Sequence, residues 1–374
     1  MTTPSLNPPA TRLEAIALAR RCVMHDGSAL AMPWVAPWVV RSWQRCLNQG
    51  LLAQQPVVFD QISAQQLRRT LDANQPLIEA AKPVLEHLGR AIVNTRYFAI
   101  LTNAQGVVVD VSGAVDHTDP RAHLITRIGT DLSERSIGTT AIGSALTELH
   151  SVWLHRGEHF FDSTSVYSCA GAPLFGPDGA CVGMLDVTGV EAAERPELKH
   201  LVTQSASKIE NAMLLRVNHA LSLRVNWPGN ALGTDADGVI CLDAEGRVIA
   251  SNAIARQLVP GLVRFDARLA HVSDVFGIEA SMLFDVARRT DATLELPLWT
   301  GLRLQALVVI PACDGHMNGQ ARPGSVAGVP LRDLETALIH KAVSDARGNV
   351  MQAAKALGIS RATVYRKLGQ KPMP

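Results

Sequence analysis

Residues 172–189 read APLFGPDGACVGMLDVTG. Two apolar runs flank a Gly-Pro-Asp-Gly centre, the pattern of two antiparallel strands joined by a tight turn. The same grammar occurs upstream in YFAILTNAQGVVVDVSG, residues 97–113, where Asn-Ala-Gln-Gly is the turn and Val107–Val111 the returning strand. Between the hairpins lies IGTDLSERSIGTTAIGSALTE, residues 128–148, rich in Gly, Thr and Ser, with a helix expected over Thr139–Leu149. A longer helical pattern follows at Pro196–Arg216. Antiparallel strands with flanking helices predict an α+β domain over residues 91–215.

Upstream, residues 1–90 carry a pattern at three- and four-residue spacing, first through Leu13, Ile16, Ala17 and Arg20, then through Leu67, Leu71, Ile78, Val84, Leu85 and Leu88. They predict a helical N-terminal region. Its Trp-rich piece, MPWVAPWVVRSWQRC, is read with prolines at turns and a helix starting between Ser42 and Leu47. Trp34, Trp38 and Trp43 are expected in a core, or alternatively on a surface that docks the next domain. Downstream, DADGVICLDAEGRVIASNAIARQL reads as strand, turn, strand and helix, and LELPLWTGLRLQALVVIPA as a closing hairpin. Together they define a second, smaller domain over residues 231–310. Residues 311–330, rich in Gly and Pro, read as a linker.

The C-terminal residues 331–374 are expected to be all-helical. LRDLETALIHKAVSDARG reads as an amphipathic helix ending at Gly348. NVMQAAKALG is a short helix stopped by Gly358, and ISRATVYRKLG a third with Ser360 as N-cap. Ala353 and Ala354 let two helices cross closely, Gly358 supplies the tight turn, and Ile359, Val364 and Leu368 are spaced to face a small core. From Asn349 to Pro374 there are five Lys+Arg and no Asp or Glu, which leaves the other 348 residues at net −4 of a total +1. A basic tail on a slightly acidic body is an electrostatic footprint for double-stranded DNA.

GNVMQAAKALGISRATVYRKL resembles the Fis-type helix-turn-helix that ends bacterial enhancer-binding regulators. The resemblance implies DNA contacts from Asn349, Gln352, Arg361, Thr363, Arg366 and Lys367. Ser360 and Tyr365 join them as outward residues of the recognition helix, while Met351 and Tyr365 stand where the parent family has basic or hydroxyl residues. It also implies a homodimer through the preceding helix, with Leu334, Leu338, Ile339 and Val343 as interface candidates.

SWQRCLNQG, GTTAIGSALTE, GEHFF and SCAGAPLFGPDGACVGMLDVTG, in that order, are similar to the acetoin catabolism regulator family. There the motifs belong to a GAF domain that senses small molecules. Thr140 departs from the family, which has Asn in the corresponding GTNAIG stretch. DGVICLDAEGRVIASNAIA is similar to a PAS domain. The resemblance implies a small organic effector, and Phe98, Thr130, Ser136, Thr139, Phe160 and Cys169 are the candidate pocket residues.

Full-length members of that family place an ATPase between sensor and DNA-binding domain. Its phosphate loop needs GxxxxGK[ST], and this sequence contains no Gly-Lys pair and no GAFTGA loop. The expected function is therefore a ligand-responsive transcriptional regulator without ATPase activity. It would act by binding DNA, by recruiting RNA polymerase through contacts, by blocking it, or by pairing with another regulator. Two other classes stand beside it: a modulator that pairs with a complete family member, and a GAF-fold thiol enzyme using Cys169 or Cys181. His155, His159, Cys169 and Cys181 can be imagined as a metal set, but Gly157 and Phe160–Phe161 break the helical spacing it would need. No metal and no cofactor is expected. No apolar run approaches about 18 residues, so no membrane span is expected. The opening MTTPSLNPPA lacks the basic and apolar regions of a secretory leader. Six scattered cysteines without a CxxC pair read as reduced thiols in a cytoplasm.

Overall fold

The hairpin at residues 172–189 is the centre of a five-stranded sheet. A computed structural model describes residues 11–24, 35–264, 270–289, 293–311, 343, 350–357 and 364. The chain divides into two units, Met1–Ala312 and Cys313–Pro374.

In the first unit the elements run α1 (Arg12–Met24), α2 (Pro37–Asn48), α3 (Ala64–Ala73), α4 (Gln75–Ile92), β1 (Tyr97–Asn103), β2 (Val108–Ser112), α5 (Pro120–Ile125), α6 (Glu134–Ile137), α7 (Ala141–Glu148), β3 (Val152–His155), β4 (Tyr167–Phe175), β5 (Cys181–Val190) and α8 (Leu198–Leu214). A second sheet follows, with β6 (Leu221–Asn226), β7 (Gly238–Leu242), β8 (Val248–Ser251), α9 (Ala253–Leu258), α10 (Gly261–Arg264), α11 (Val272–Phe276), α12 (Ala280–Ala287), β9 (Thr293–Pro297) and β10 (Arg303–Val309). The sheets have strand orders β2-β1-β5-β4-β3 and β8-β7-β6-β10-β9, antiparallel throughout.

The turns form where the local chemistry dictates. Asn103 Oδ1 accepts from the backbone N–H of Gln105 and of Val107, closing the first hairpin. In the second, Asp178 Oδ1 accepts from Ala180 N–H, and Gly179 takes φ +84°, a left-handed conformation open to glycine at no steric cost.

The first sheet is covered on both faces, which explains why β1, β4 and β5 read as near-continuous apolar runs. Tyr97, Ala99 and Leu101, with Ala170, Ala172, Leu174, Leu185 and Val187, pack against Leu77, Leu85, Leu88 and Ile92 of α4 and Val202, Ala206 and Ile209 of α8. The alternate residues Phe98, Ile100, Cys169, Met184 and Val190 face the other way, into a core shared with α1, α2, α5 and α7.

Four expectations are corrected. The N-terminal helices are not a region apart from residues 91–215, because Trp38, Val39, Trp43 and Cys46 of α2 are core residues of the first sheet. Pro37 makes no turn but opens α2, where its missing N–H would have had no partner anyway. The second sheet starts ten residues before the expected boundary at 231. Its central strand is Leu221–Asn226, paired to both β7 and β10. Thr140 caps α7 by accepting from Gly143 N–H at 3.2 Å, so the helix expected from Thr139 begins at Ala141. Trp34 and residues 312–330 lie outside the described residues.

In the second unit, the helix Val350–Leu357 buries Ala354 against Val364, with Val343 and Val350 packed on them. Val364 is thus in the core, as its spacing predicts. The remaining C-terminal helix assignments, with Gly348, Gly358 and Ser360, lie outside the described residues.

Candidate functional site

Edge-to-edge pairing of β1, β5 and β4 puts a polar group into an apolar layer. Asp186 of β5 stands opposite Ile100 on β1 and Gly171 on β4, and Thr188 opposite Phe98 and Cys169. Gly171 carries no side chain into this layer. A Cβ there would lie 2.6 Å from Met184 Cε and 3.1 Å from the Ala141 carbonyl oxygen, so glycine is what lets the first turn of α7 sit against the sheet.

Beside these residues is a cavity of about 30 Å3, lined among others by Phe59, Ile100, Leu132, Ile137, Thr140, Ala141, Ile142, His159, Tyr167, Cys169, Asp186 and Thr188. That volume holds about one or two waters. Its polar wall is a chain. His159 Nδ1–H donates to the Arg156 carbonyl at 2.9 Å, so the neutral ring offers Nε2 to the Cys169 thiol at 3.4 Å. Thr188 Oγ1 lies 3.2 Å from Cys169 Sγ and hydrogen-bonds to Asp186 Oδ2, its single proton serving one partner at a time. Asp186 is 1% exposed, and its other oxygen, Oδ1, has no hydrogen-bond partner.

Burial sets the titration of this wall. It pushes the Asp186 carboxyl up to about 7, and the Thr188 hydroxyl offsets only part of that. It lowers His159 to about 4 and raises the Cys169 thiol well above its ordinary value. Near neutral pH the imidazole is neutral, the thiol is protonated, and Asp186 is divided between its two forms. The Cys169 thiol is therefore a poor nucleophile. Cys181 is also pushed up by burial, and it pairs opposite Phe175, six residues along β4 from Cys169. That separation is far beyond the reach of a disulfide.

The turn bearing His159 is fixed from outside. The Arg20 guanidinium of α1 donates to the carbonyls of Gly157 (3.1 Å) and Phe160 (3.0 Å) and to Asp162 (2.6 Å). Glu158, in the same turn, accepts from Arg12 and from His155 N–H, and its carbonyl takes the Trp43 indole N–H at 2.8 Å. Behind the cavity, Glu134 accepts from Ser42 Oγ (2.6 Å) and from Arg45 Nε (2.6 Å) and Nη2 (2.9 Å), while Ser42 also meets Thr139 Oγ1 at 2.7 Å. This contact explains why the SWQRC and GTTAIG stretches occur together: their polar side chains satisfy one another.

Of the six sequence-selected pocket residues, Cys169 alone lines the cavity. Phe98 and Phe160 are core residues. Thr139 is held by Ser42, and Thr130 Oγ1 donates to the Leu124 carbonyl at 3.4 Å. Ser136 Oγ donates outward to Asp131 at 2.6 Å. The sequence reading missed Asp186, Thr188, His159 as a wall residue, and Tyr167. Of the imagined metal set, His155 bonds to Ser168 Oγ at 2.8 Å and His159 to Cys169. Among the described residues no three His, Cys, Asp or Glu are grouped to hold a metal.

In the second unit Gln352 stands exposed on the helix Val350–Leu357, next to exposed Met351. Asn349, Ser360, Arg361, Thr363, Tyr365, Arg366 and Lys367 lie outside the described residues, as do Leu334, Leu338 and Ile339. Val343, expected at a dimer interface, packs against the Ala354–Val364 core of its own unit. Among the described residues no helix is long and apolar enough to cross a membrane.

Residues 15–211 match the family "MimR, N-terminal domain", and residues 330–370 match "Bacterial regulatory protein, Fis family". The acetoin catabolism regulatory protein of Cupriavidus necator is 28% identical over 230 residues, 60% of this chain and 34% of that protein. The propane 2-monooxygenase operon transcriptional activator MimR of Mycolicibacterium goodii is 29% identical over 226 residues, 58% of this chain and 37% of that one. The chain thus spans about a third of the length of these relatives. Among solved structures, the E. coli DhaR(N)–DhaL complex aligns at 14% identity and TM-score 0.46, over 74% of this chain and 100% of that one. The MimR match takes in more than half of the residues and is joined in one chain to a Fis-family helix-turn-helix segment: the chain belongs to the MimR N-terminal domain family.

Proposed function

We propose that this protein is a ligand-responsive, sequence-specific DNA-binding transcriptional regulator with no ATPase of its own. The first sheet acts as a GAF-like sensor for a small organic effector, and the second as a PAS-like domain. The Fis-type segment reads DNA as a homodimer, with Arg361, Arg366 and Lys367 at its centre and Asn349, Gln352, Ser360, Thr363 and Tyr365 around them. The observation that carries the sensing role is the orphaned Asp186 acceptor in the wall of a cavity that an effector would have to widen beyond its one or two waters. A buried carboxylate oxygen without a partner costs free energy that an incoming donor restores. The names of the relatives, regulators of acetoin catabolism and of a propane 2-monooxygenase operon, support a small effector. Residues 212–329, between the two matched regions, hold the second sheet and no phosphate-loop sequence, which supports regulation by contact rather than by ATP hydrolysis.

The test is a thermal-shift panel of small alcohols and ketones on the full chain and on Asp186→Leu, followed by DNA binding with each hit. A compound that raises the melting temperature of the wild type only, and changes its DNA affinity, supports the reading. DNA affinity that no cavity ligand alters contradicts it.

A further inference from the structure

The strands that wall the cavity do not end there. From Cys169, β4 runs six residues to Phe175, about 20 Å at 3.3 Å per residue. It pairs with β5 along the whole way, and the register shifts only between Leu174 and Phe175, at the far end. The turn beyond, residues 176–180, reaches the second sheet. Ser251 N–H, at the end of β8, donates to the Pro177 carbonyl at 3.2 Å. The Arg256 guanidinium of α9 lies over the Phe175 ring at 5.9 Å and is anchored by the Ser251 carbonyl. It also lies against the turn, since a Cβ on Gly179 would come within 3.4 Å of it.

Under this joint, Glu210 of α8 is buried and accepts from Phe175 N–H at 3.0 Å. Its neighbour Asn211 accepts from Asn252 Nδ2 at 2.8 Å, and Asn252 in turn caps α9 through Ala255 N–H at 2.8 Å. The end of the hairpin is therefore hydrogen-bonded to β8 and α8 and packed against Arg256 of α9 at once.

We propose that the β4–β5 hairpin is the element that carries a change at the cavity wall to the second sheet, with Arg256 and Glu210 as its receiving residues. This rests on reading the cavity as the effector site. A ladder paired along its length and buried on both faces moves as one body, so a displacement at Asp186 or Cys169 reappears at the turn. The Phe175 ring under the Arg256 guanidinium and the Phe175 N–H bond to Glu210 make the turn's position matter energetically to α9 and α8. The covalent route through α8 is separate, so the two can be told apart.

The experiment is hydrogen exchange by mass spectrometry on the full chain, with substitutions in place of an effector. Asp186→Asn and Gly171→Ala alter the cavity wall, each alone and with Arg256→Met, which keeps an apolar stem over Phe175. In the wild-type background either wall variant is expected to change exchange in residues 248–258 by about threefold or more, as well as in residues 167–190. With Arg256→Met the change is expected to stop at the turn. The proposal is overturned if residues 248–258 respond equally in both backgrounds. It is also overturned if they stay silent while 167–190 respond, or if neither variant alters 167–190. No ligand enters this test, so its failure is distinct from a failure to find an effector.

Discussion

Replacing Asp186 with Asn removes one buried carboxylate and leaves its volume nearly unchanged. The folded protein holds that carboxyl to about 7, against an ordinary value of 3.8. At about 1.4 kcal/mol per pKa unit, keeping it ionised in the fold costs about 4 kcal/mol relative to the unfolded chain. The sign follows from proton counting. Between the two values the folded state holds a proton that the unfolded state has released. The stability Asp186 contributes is thus fully present below its unfolded pKa and is lost as pH rises through about 7. His159 acts oppositely, since its folded value of about 4 lies below its ordinary 6.5, and Glu210, raised to about 7, acts like Asp186. The difference between wild type and Asp186→Asn isolates the one carboxylate. Urea denaturation of both proteins across this range should show near-equal stability around pH 4, with the variant ahead by about 3–4 kcal/mol around pH 8. A variant that is equal or less stable at the alkaline end would refute the reasoning, because the carboxylate would then have a compensating partner in the fold.

Trp43 is fully buried and donates to the Glu158 carbonyl, so Trp43→Ala should cost about 3–5 kcal/mol in denaturation. Glu134→Ala takes a shared acceptor from Ser42 and Arg45, which keep Thr139 and Glu148, and should cost about 1–3 kcal/mol by the same assay, whereas an Arg45→Lys change, which keeps the charge, should cost less. Ala354→Leu overfills the Val364 contact and should destabilise the second unit by about 1–3 kcal/mol while leaving the exchange protection of β1, β4 and β5 unchanged.

What could be read in advance follows the range of the forces involved. The hairpins at 97–113 and 172–189 were legible because Asn103 and Asp178 close their turns with bonds to residues at most four away. The helix at Leu198–Leu214 was legible from its period. Pro37 was misplaced because a proline that opens a helix and one that makes a turn look alike until the chain around Trp38 and Trp43 finds its core. Central strand β6 was missed because Arg224 and Asn226 interrupt its apolar pattern. Arg224 donates to the Thr234 carbonyl and Asn226 to Asp237, partners visible only in the fold. Asp186 escaped notice for a related reason. In the run MLDVTG it reads as the outward residue of a strand with one wet face, and only the helices over both faces of the sheet make it buried. Thr139 and Phe160 have the right character for a pocket, but Ser42 and Cys46 of α2 hold the Thr139 hydroxyl and Phe160 is buried in the core.

The Fis-type segment is proposed to give this chain its hold on DNA. Its most direct test is binding of the full chain to its own upstream intergenic DNA over a range of salt, beside an Arg361→Ala/Arg366→Ala/Lys367→Ala variant. Specific, salt-dependent binding by the wild type is expected. The variant should lose about 1–3 kcal/mol for each base-reading contact and show a shallower salt slope. Specific binding that survives the triple substitution unchanged, or no specific binding by the wild type, would contradict it.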